Sequence, residues 1–383
     1  MRFLTFAGLA LALLGLTSGV MAQTPVQVGQ VGIYELKWTV PPAPGPAELS
    51  RDEFSQPVLS PDARSVFRVY SNGRIEKRAT ENGSLSWVQD LKVEVSSPLF
   101  FQSALGGVDT ILVVDALGIL HQLAADDGRT LQSMKIGGAS SCAPTPTAAG
   151  LLLVTGQDRL IMLDASLTNP TPIWSTERVA SRGMTLLGES CPVVDDALVC
   201  HGRSDGKVAC YDLASGALKW ARRLGATAKK FAVDDVDAGP VFHSNGLYAA
   251  SVSGGLYRLT PSTGDIEWQS DILNLNRLGA NRLGLVALSM EGKVLGFTHS
   301  GEKRFETQLP SKRLENLLVG KQLLVVSAGE TGLVLLDGAT GRPLQATALN
   351  GEALSSPSAR GRHLIAQDAA GYLHYFELQS SGS

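Results

Sequence analysis

Residues 208–220 read VACYDLASGALKW, and this stretch decides the architecture of the chain. An apolar run from Val208 to Tyr211 gives way to Asp212, then to a small polar turn at Ser215-Gly216, and a tryptophan follows the glycine by four residues at Trp220. The first part reads as a buried strand and the turn reverses it into a second one. The pattern returns as IEKRATENGSLSW at 75–87, LYRLTPSTGDIEW at 256–268 and LVLLDGATGRPL at 333–344, with weaker copies at 120–131, 162–174 and 294–305. Gly83, Gly128, Gly216 and Gly264 recur at about 45 residues or twice that, the kind of period that marks a solenoid, propeller or array. Glycine suits the turn because positive φ costs it little.

All five tryptophans, Trp38, Trp87, Trp174, Trp220 and Trp268, fall on this one repeat position, which predicts a docking layer between successive units. A second mark lies upstream of the units: Ser97-Pro98, Ser141-Cys142-Ala143-Pro144, Ser190-Cys191-Pro192, Gly239-Pro240 and Ser356-Pro357. Proline is tolerated at a strand's first residue, where no ladder donor is needed, so each mark opens an inner strand. Every unit then reads as four strands. Seven complete units run from Phe54, and an eighth from Ala353 ends at Leu378 after three strands. The missing outer strand is supplied by residues 31–40 around Trp38, and the Pro-rich run Val40 to Pro46 becomes a connector. The expected fold is all-β: an eight-bladed β-propeller of four-stranded antiparallel blades, its last blade closed by the N-terminal strand.

Arg2, the apolar run from Phe3 to Leu16 and the small-x-small site at Val20-Met21-Ala22 predict a signal peptide over residues 1–22, leaving 23–383 as a single propeller domain. No other run approaches the roughly 20 apolar residues of a membrane span. A lipid anchor would need a cysteine where Ala22 and Gln23 stand, and the first cysteine is Cys142. A net charge of −3 with both signs dispersed offers no basic face for nucleic acid.

Chemistry is sparse. The six histidines (His121, His201, His243, His299, His363, His374) read as lying at different repeat positions, with no pair at metal-ligand spacing. Asp126-Asp127-Gly128 and Asp205-Gly206 coincide with repeat turns, where Asp-Gly is favoured for backbone reasons. No metal or cofactor is expected. The four cysteines allow three pairings or four free thiols. Cys200 and Cys210 flank one hairpin, and Cys142 and Cys191 share a repeat position in successive blades, which favours Cys142 with Cys191 and Cys200 with Cys210.

The Asp-x-x-Ser/Thr-Gly-x-x-x-Trp repeat resembles that of the quinoprotein propellers, a group holding quinone-dependent dehydrogenases and the non-catalytic BamB family of outer-membrane assembly factors. The dehydrogenases carry adjacent cysteines, a cluster of acidic and amide calcium ligands and commonly a haem motif; this sequence has no adjacent cysteines and no Cys-x-x-Cys-His. Two segments resemble the BamB family more closely: residues 184–192 (MTLLGESCP) match its Leu-x-Leu-Arg-Gly-Glu-Ser-x-Pro segment, and residues 235–240 (DVDAGP) its Asp-Val-Asp-x-x-Pro segment. The resemblance implies a periplasmic scaffold, a monomer within its complex, that docks on a POTRA domain of the barrel-inserting protein BamA and serves unfolded outer-membrane clients. Carried over by position, Met184 and Leu186 are apolar anchors and Asp235 and Asp237 pair with basic groups of the partner. Leu187 stands where the family has arginine, so either the partner has lost the matching acid or the interface is more apolar, and the family's lipidation cysteine is absent from the expected site. The competing readings are a quinone-dependent oxidoreductase and a secreted propeller that binds sugar or peptide.

Overall fold

A computed structural model describes residues 32–42, 56–103, 107–169, 171–179, 190–224, 236, 238–251 and 254–379. They form eight four-stranded antiparallel sheets, each paired in simple meander order, with no helix among the described residues. The blades are 58–90, 100–135, 145–175, 193–223, 241–270, 275–308, 316–347 and, for blade 8, 358–378 joined by the strand Tyr34–Val40. The eighth blade is therefore closed by the N-terminal strand. The expected cleavage site and most of the Pro-rich connector lie outside the described residues.

The core is distributed between blades. Cys200, Val208 and Cys210 of blade 4 pack with Leu247, Ala249, Tyr257 and Leu259 of blade 5, while Val199, Ala209 and Tyr211 on the other face of blade 4 pack with Leu152, Val154 and Met162 of blade 3. Alternate residues of one strand thus serve two neighbours, which explains why the second and third strands are apolar throughout.

The tryptophans and glycines turn out to be partners across the blade boundary. Trp87 of blade 1 donates its indole N–H to the Ala125 carbonyl of blade 2 at 3.2 Å, and its ring lies on Gly128, where any Cβ would overlap it. Trp220 does the same to Pro261 (2.7 Å) and Gly264, Trp174 to Leu213 and Gly216, Trp38 to Thr80 and Gly83, and Trp268 to His299 and Gly301. Phe305 covers Gly341 in the same way. The repeat glycine therefore does more than supply positive φ: it admits the aromatic ring of the preceding blade. The two exceptions share a reason. The turn of blade 3, within 164–173, contains no glycine, and the facing residue of blade 2 is Gln132 in place of tryptophan. Blade 8 has no such turn because its outer strand comes from the other end of the chain, and the facing residue of blade 7 is Gln345.

Gln345 has been put to another use. Its side-chain oxygen accepts the amides of Ile33 (2.7 Å) and Tyr34 (2.9 Å), and its Nε2 donates to the Tyr34 carbonyl (2.7 Å), so it seats the start of the closing strand. That strand pairs antiparallel with Leu373–Leu378, from Tyr34 opposite Leu378 to Val40 opposite Leu373. Trp38 stacks on Tyr375 at 5.1 Å. Arg68 of blade 1, 1% exposed, adds a latch by donating to the carbonyls of Gly371 (3.1 Å) and Pro41 (3.4 Å). Its charge is met by Glu76, whose buried carboxylate also pairs with Arg74 and Arg78. Burial would raise the Glu76 pKa, but Arg68 and Arg78 outweigh it and hold the carboxyl below its ordinary value.

Seven outer strands carry one unpaired residue against the third strand, at Lys37, Ser86, Leu131, Lys219, Glu267, Arg304 and Leu344. Bulges of this kind twist an exposed edge away from flat pairing with another chain. Blade 3 differs: its outer strand, Trp174–Ser175, is two residues long and has no such shift.

Candidate functional site

In a meander, the turn between the second and third strands and the connector to the next blade emerge on the same face. On this connector face, blade 4 meets the described residues of the two segments singled out in the sequence, 190–192, 236 and 238–240. The strand Leu198–Gly202 ends on that face at Gly202. The amide of Gly202 donates to Ser190 Oγ at 3.1 Å, and a Cβ at Gly202 would overlap the carbonyl oxygen of Val236. Ser190 belongs to the segment 184–192 and Val236 to the segment 235–240, so the inner ends of both converge on one glycine. Its φ is not positive; glycine is required here by closeness of approach alone. Val236 is fully buried in the core between blades 4 and 5, alongside Cys200 and Cys210. Met184, Leu186, Leu187, Asp235 and Asp237 themselves lie outside the described residues.

The cysteines gather at the same place. Cys142 is joined to Cys191 with Cα atoms 5.5 Å apart, tying the entry of blade 3 to the entry of blade 4, and Cys200 is joined to Cys210 across their hairpin with Cα atoms 4.1 Å apart. Asp158, in the turn of blade 3, accepts the backbone amide and hydroxyl of Ser204 at 2.9 and 2.6 Å, linking that turn to its counterpart in blade 4. Beneath these links His201 is fully buried, and neither ring nitrogen has a hydrogen-bond partner. Burial first, and the neighbouring Arg203 second, lower its pKa to about 3, so it stays neutral.

The histidines require a correction. His121 and His374 occupy the same repeat position, in Asp115-Ala-Leu-Gly-Ile-Leu-His121 and Asp368-Ala-Ala-Gly-Tyr-Leu-His374. His121 Nε2 lies 3.0 Å from Asp115 Oδ2 and its Nδ1 2.9 Å from Ser133 Oγ. This is the residue set of a hydrolytic triad. Blade 8 repeats it with Asp368, His374 and Thr39, at 2.9 and 3.2 Å, where His374 is 1% exposed. Each aspartate also accepts two amides of its own turn through Oδ1. Repetition in register with the turn makes the set a clasp joining the turn, third strand and outer strand of a blade, buried at His374 and partly exposed at His121. Among the described residues no group of three or more His, Cys, Asp or Glu side chains is placed to hold a metal.

A family model described as "Outer membrane protein assembly factor BamB" matches residues 71–297, more than half of the chain. The chain belongs to the BamB family. The BamB of Yersinia pestis is 25% identical over 233 residues, covering 58% of this chain and 58% of the relative, so the aligned part spans little more than half of that protein. The crystal structure of BamB from Moraxella catarrhalis superposes with a TM-score of 0.70 at 20% identity, over 92% of this chain and 100% of that one. Quinohemoprotein alcohol dehydrogenase from Comamonas testosteroni superposes with a TM-score of 0.65 at 12% identity, over 93% and 79%. At such identities both structures speak to the fold alone. The BamB-family match takes in 184–192 and 235–240, hence both segments that meet at Gly202.

Proposed function

We propose that this protein is a non-catalytic scaffold of outer-membrane protein assembly, acting in the periplasm, whose connector face at blades 3 to 5 docks on a POTRA domain of a BamA-like barrel-inserting protein. In this reading Met184, Leu186 and Leu187 are the apolar anchors, and Asp235 and Asp237 the acidic groups that orient the partner. Apolar side chains on a rim gain by being covered, and acidic neighbours steer a basic partner into register. The observation that carries the proposal is the convergence of Ser190 and Val236 on Gly202, which gives two segments distant in sequence one common support. Unfolded barrel proteins are the clients the scaffold would serve.

The test is co-purification. Tagged protein recovers a POTRA-containing barrel protein, and Asp235→Lys combined with Asp237→Lys abolishes recovery while the circular dichroism and the unfolding midpoint are unchanged. Undiminished capture by the double variant would refute the docking surface. Quinone-dependent dye reduction by the purified protein would instead favour the oxidoreductase reading, which the dehydrogenase likeness supports only at the level of the fold.

A further inference from the structure

Around the connector face, three pairs of neighbouring blades are stitched together where an inner strand begins. In blade 6 the side-chain Nδ2 of Asn276 donates to the Leu314 carbonyl at 2.9 Å; in blade 7 Asn316 Nδ2 donates to the Leu354 carbonyl at 2.6 Å and its Oδ1 accepts from Ser356 Oγ at 2.6 Å. Between blades 3 and 4 the stitch is covalent, Cys142 to Cys191. The two disulfides differ in access. Cys200 and Cys210 are fully buried between blades 4 and 5, and Cys142 is 2% exposed, whereas Cys191 is exposed on the rim. Cys191 directly follows Ser190, whose hydroxyl receives the Gly202 amide, and Gly202 in turn abuts Val236. One disulfide with an exposed cysteine therefore stands at the support shared by both segments.

We propose that Cys142–Cys191 is a thiol–disulfide exchange site for a dithiol reductant and acts as a reversible lock on the blade 3–4 rim, with Cys191 the sulfur attacked. A thiolate of the reductant attacks Cys191 Sγ, forming a mixed disulfide and expelling Cys142 as a thiolate, which takes a proton from solvent. The second thiol of the reductant attacks the mixed disulfide, releases Cys191 and leaves the reductant as its own disulfide. Two electrons and two protons pass from the reductant to the protein. In the reduced protein the hydrogen bond from Gly202 to Ser190 and the pairing of Val193–Asp195 with Leu198–Cys200 are left to hold the entry of blade 4, and the rim loosens. The buried Cys200–Cys210 pair persists, because exchange requires access to a sulfur. The consequence for partner binding rests on the docking reading above; the exchange chemistry does not.

The experiment treats the folded full chain with dithiothreitol, alkylates the thiols and maps them by mass spectrometry. Labels at Cys142 and Cys191 appear well before any at Cys200 and Cys210, and amide exchange at 190–193 and 202–204 accelerates by about tenfold or more, the mark of local opening. The Cys142→Ser, Cys191→Ser double variant shows the fast exchange without reductant. Binding to an isolated POTRA domain weakens by about five- to tenfold in both cases, a coupling of ordinary size for linked sites. Labelling of all four cysteines together, or only on global unfolding, overturns the lock. If the oxidised protein fails to bind the POTRA domain, the docking reading falls while the labelling order still decides the exchange site. Unchanged binding by a reduced protein whose rim exchanges fast overturns the lock's role in docking and leaves the chemistry standing.

Discussion

At the scale of single residues, the structure pairs positions that the sequence displays separately. The repeat glycines and tryptophans are legible as two periodic marks, but their partnership runs from one blade's tryptophan to the next blade's glycine, a relation no local spacing contains. It makes Gly264→Ala costly twice over, through positive φ and through overlap with the Trp220 ring. The expected loss is about 2–4 kcal/mol, read from urea unfolding. His201 yields a pH prediction. Its folded pKa lies near 3, below the unfolded value, so between about pH 6.5 and pH 3 the unfolded chain binds a proton that the folded ring refuses. Stability therefore falls with acidification, by about 2 kcal/mol from pH 7 to pH 5 for this group. His201→Leu should remove that increment from the pH dependence of the urea midpoint; an unaltered dependence would show that the ring becomes charged in place. The matched pair His121 and His374 was legible in the sequence and easily missed, because histidines invite a search for metal spacing while these repeat in register with a turn. Gly202 was not legible: it has no unusual φ, and its need for glycine comes from the Val236 carbonyl, 34 residues away in sequence and brought near by the path of a connector.

At the scale of elements, the closing strand bears the greatest concentration of specific contacts. Trp38 on Gly83, Gln345 at its start and the Arg68 latch each bind it from a different blade or loop. Gln345→Leu keeps the volume and removes three hydrogen bonds to backbone; amide exchange along Tyr34–Val40 should accelerate while blade 4 keeps its protection. Glu76→Gln leaves Arg68 buried without a counter-charge and should cost about 3–5 kcal/mol, measured by thermal or urea unfolding. The four-strand unit and the borrowed strand were both readable from the sequence, since proline marks, turn glycines and alternating faces are local. The bulges were not. An unpaired residue shows itself only against a partner strand, and Lys37, Ser86 and Glu267 share no side-chain type that would announce it.

At the scale of the whole molecule, stability comes from interfaces that each blade shares with two neighbours, so the ring has no centre to lose and every boundary to keep. Deleting residues 32–40 would open the boundary at blade 8 and uncover the edge of Leu373–Leu378; the shortened protein should self-associate in size-exclusion chromatography, as free strand edges do. The number of blades could be counted from the sequence because each leaves a mark, whereas the proposed docking face rests on resemblance, since segments 184–192 and 235–240 carry no repeat pattern. The pairing of Tyr34 with Leu378 also fixes an order in time. Tyr34–Val40 cannot find its partner until Leu373–Leu378 has been made, and closing so long a loop is slow. Until then its neighbours stand unfinished. Before that closure the ring is an open arc whose blade 8 lacks its outer strand.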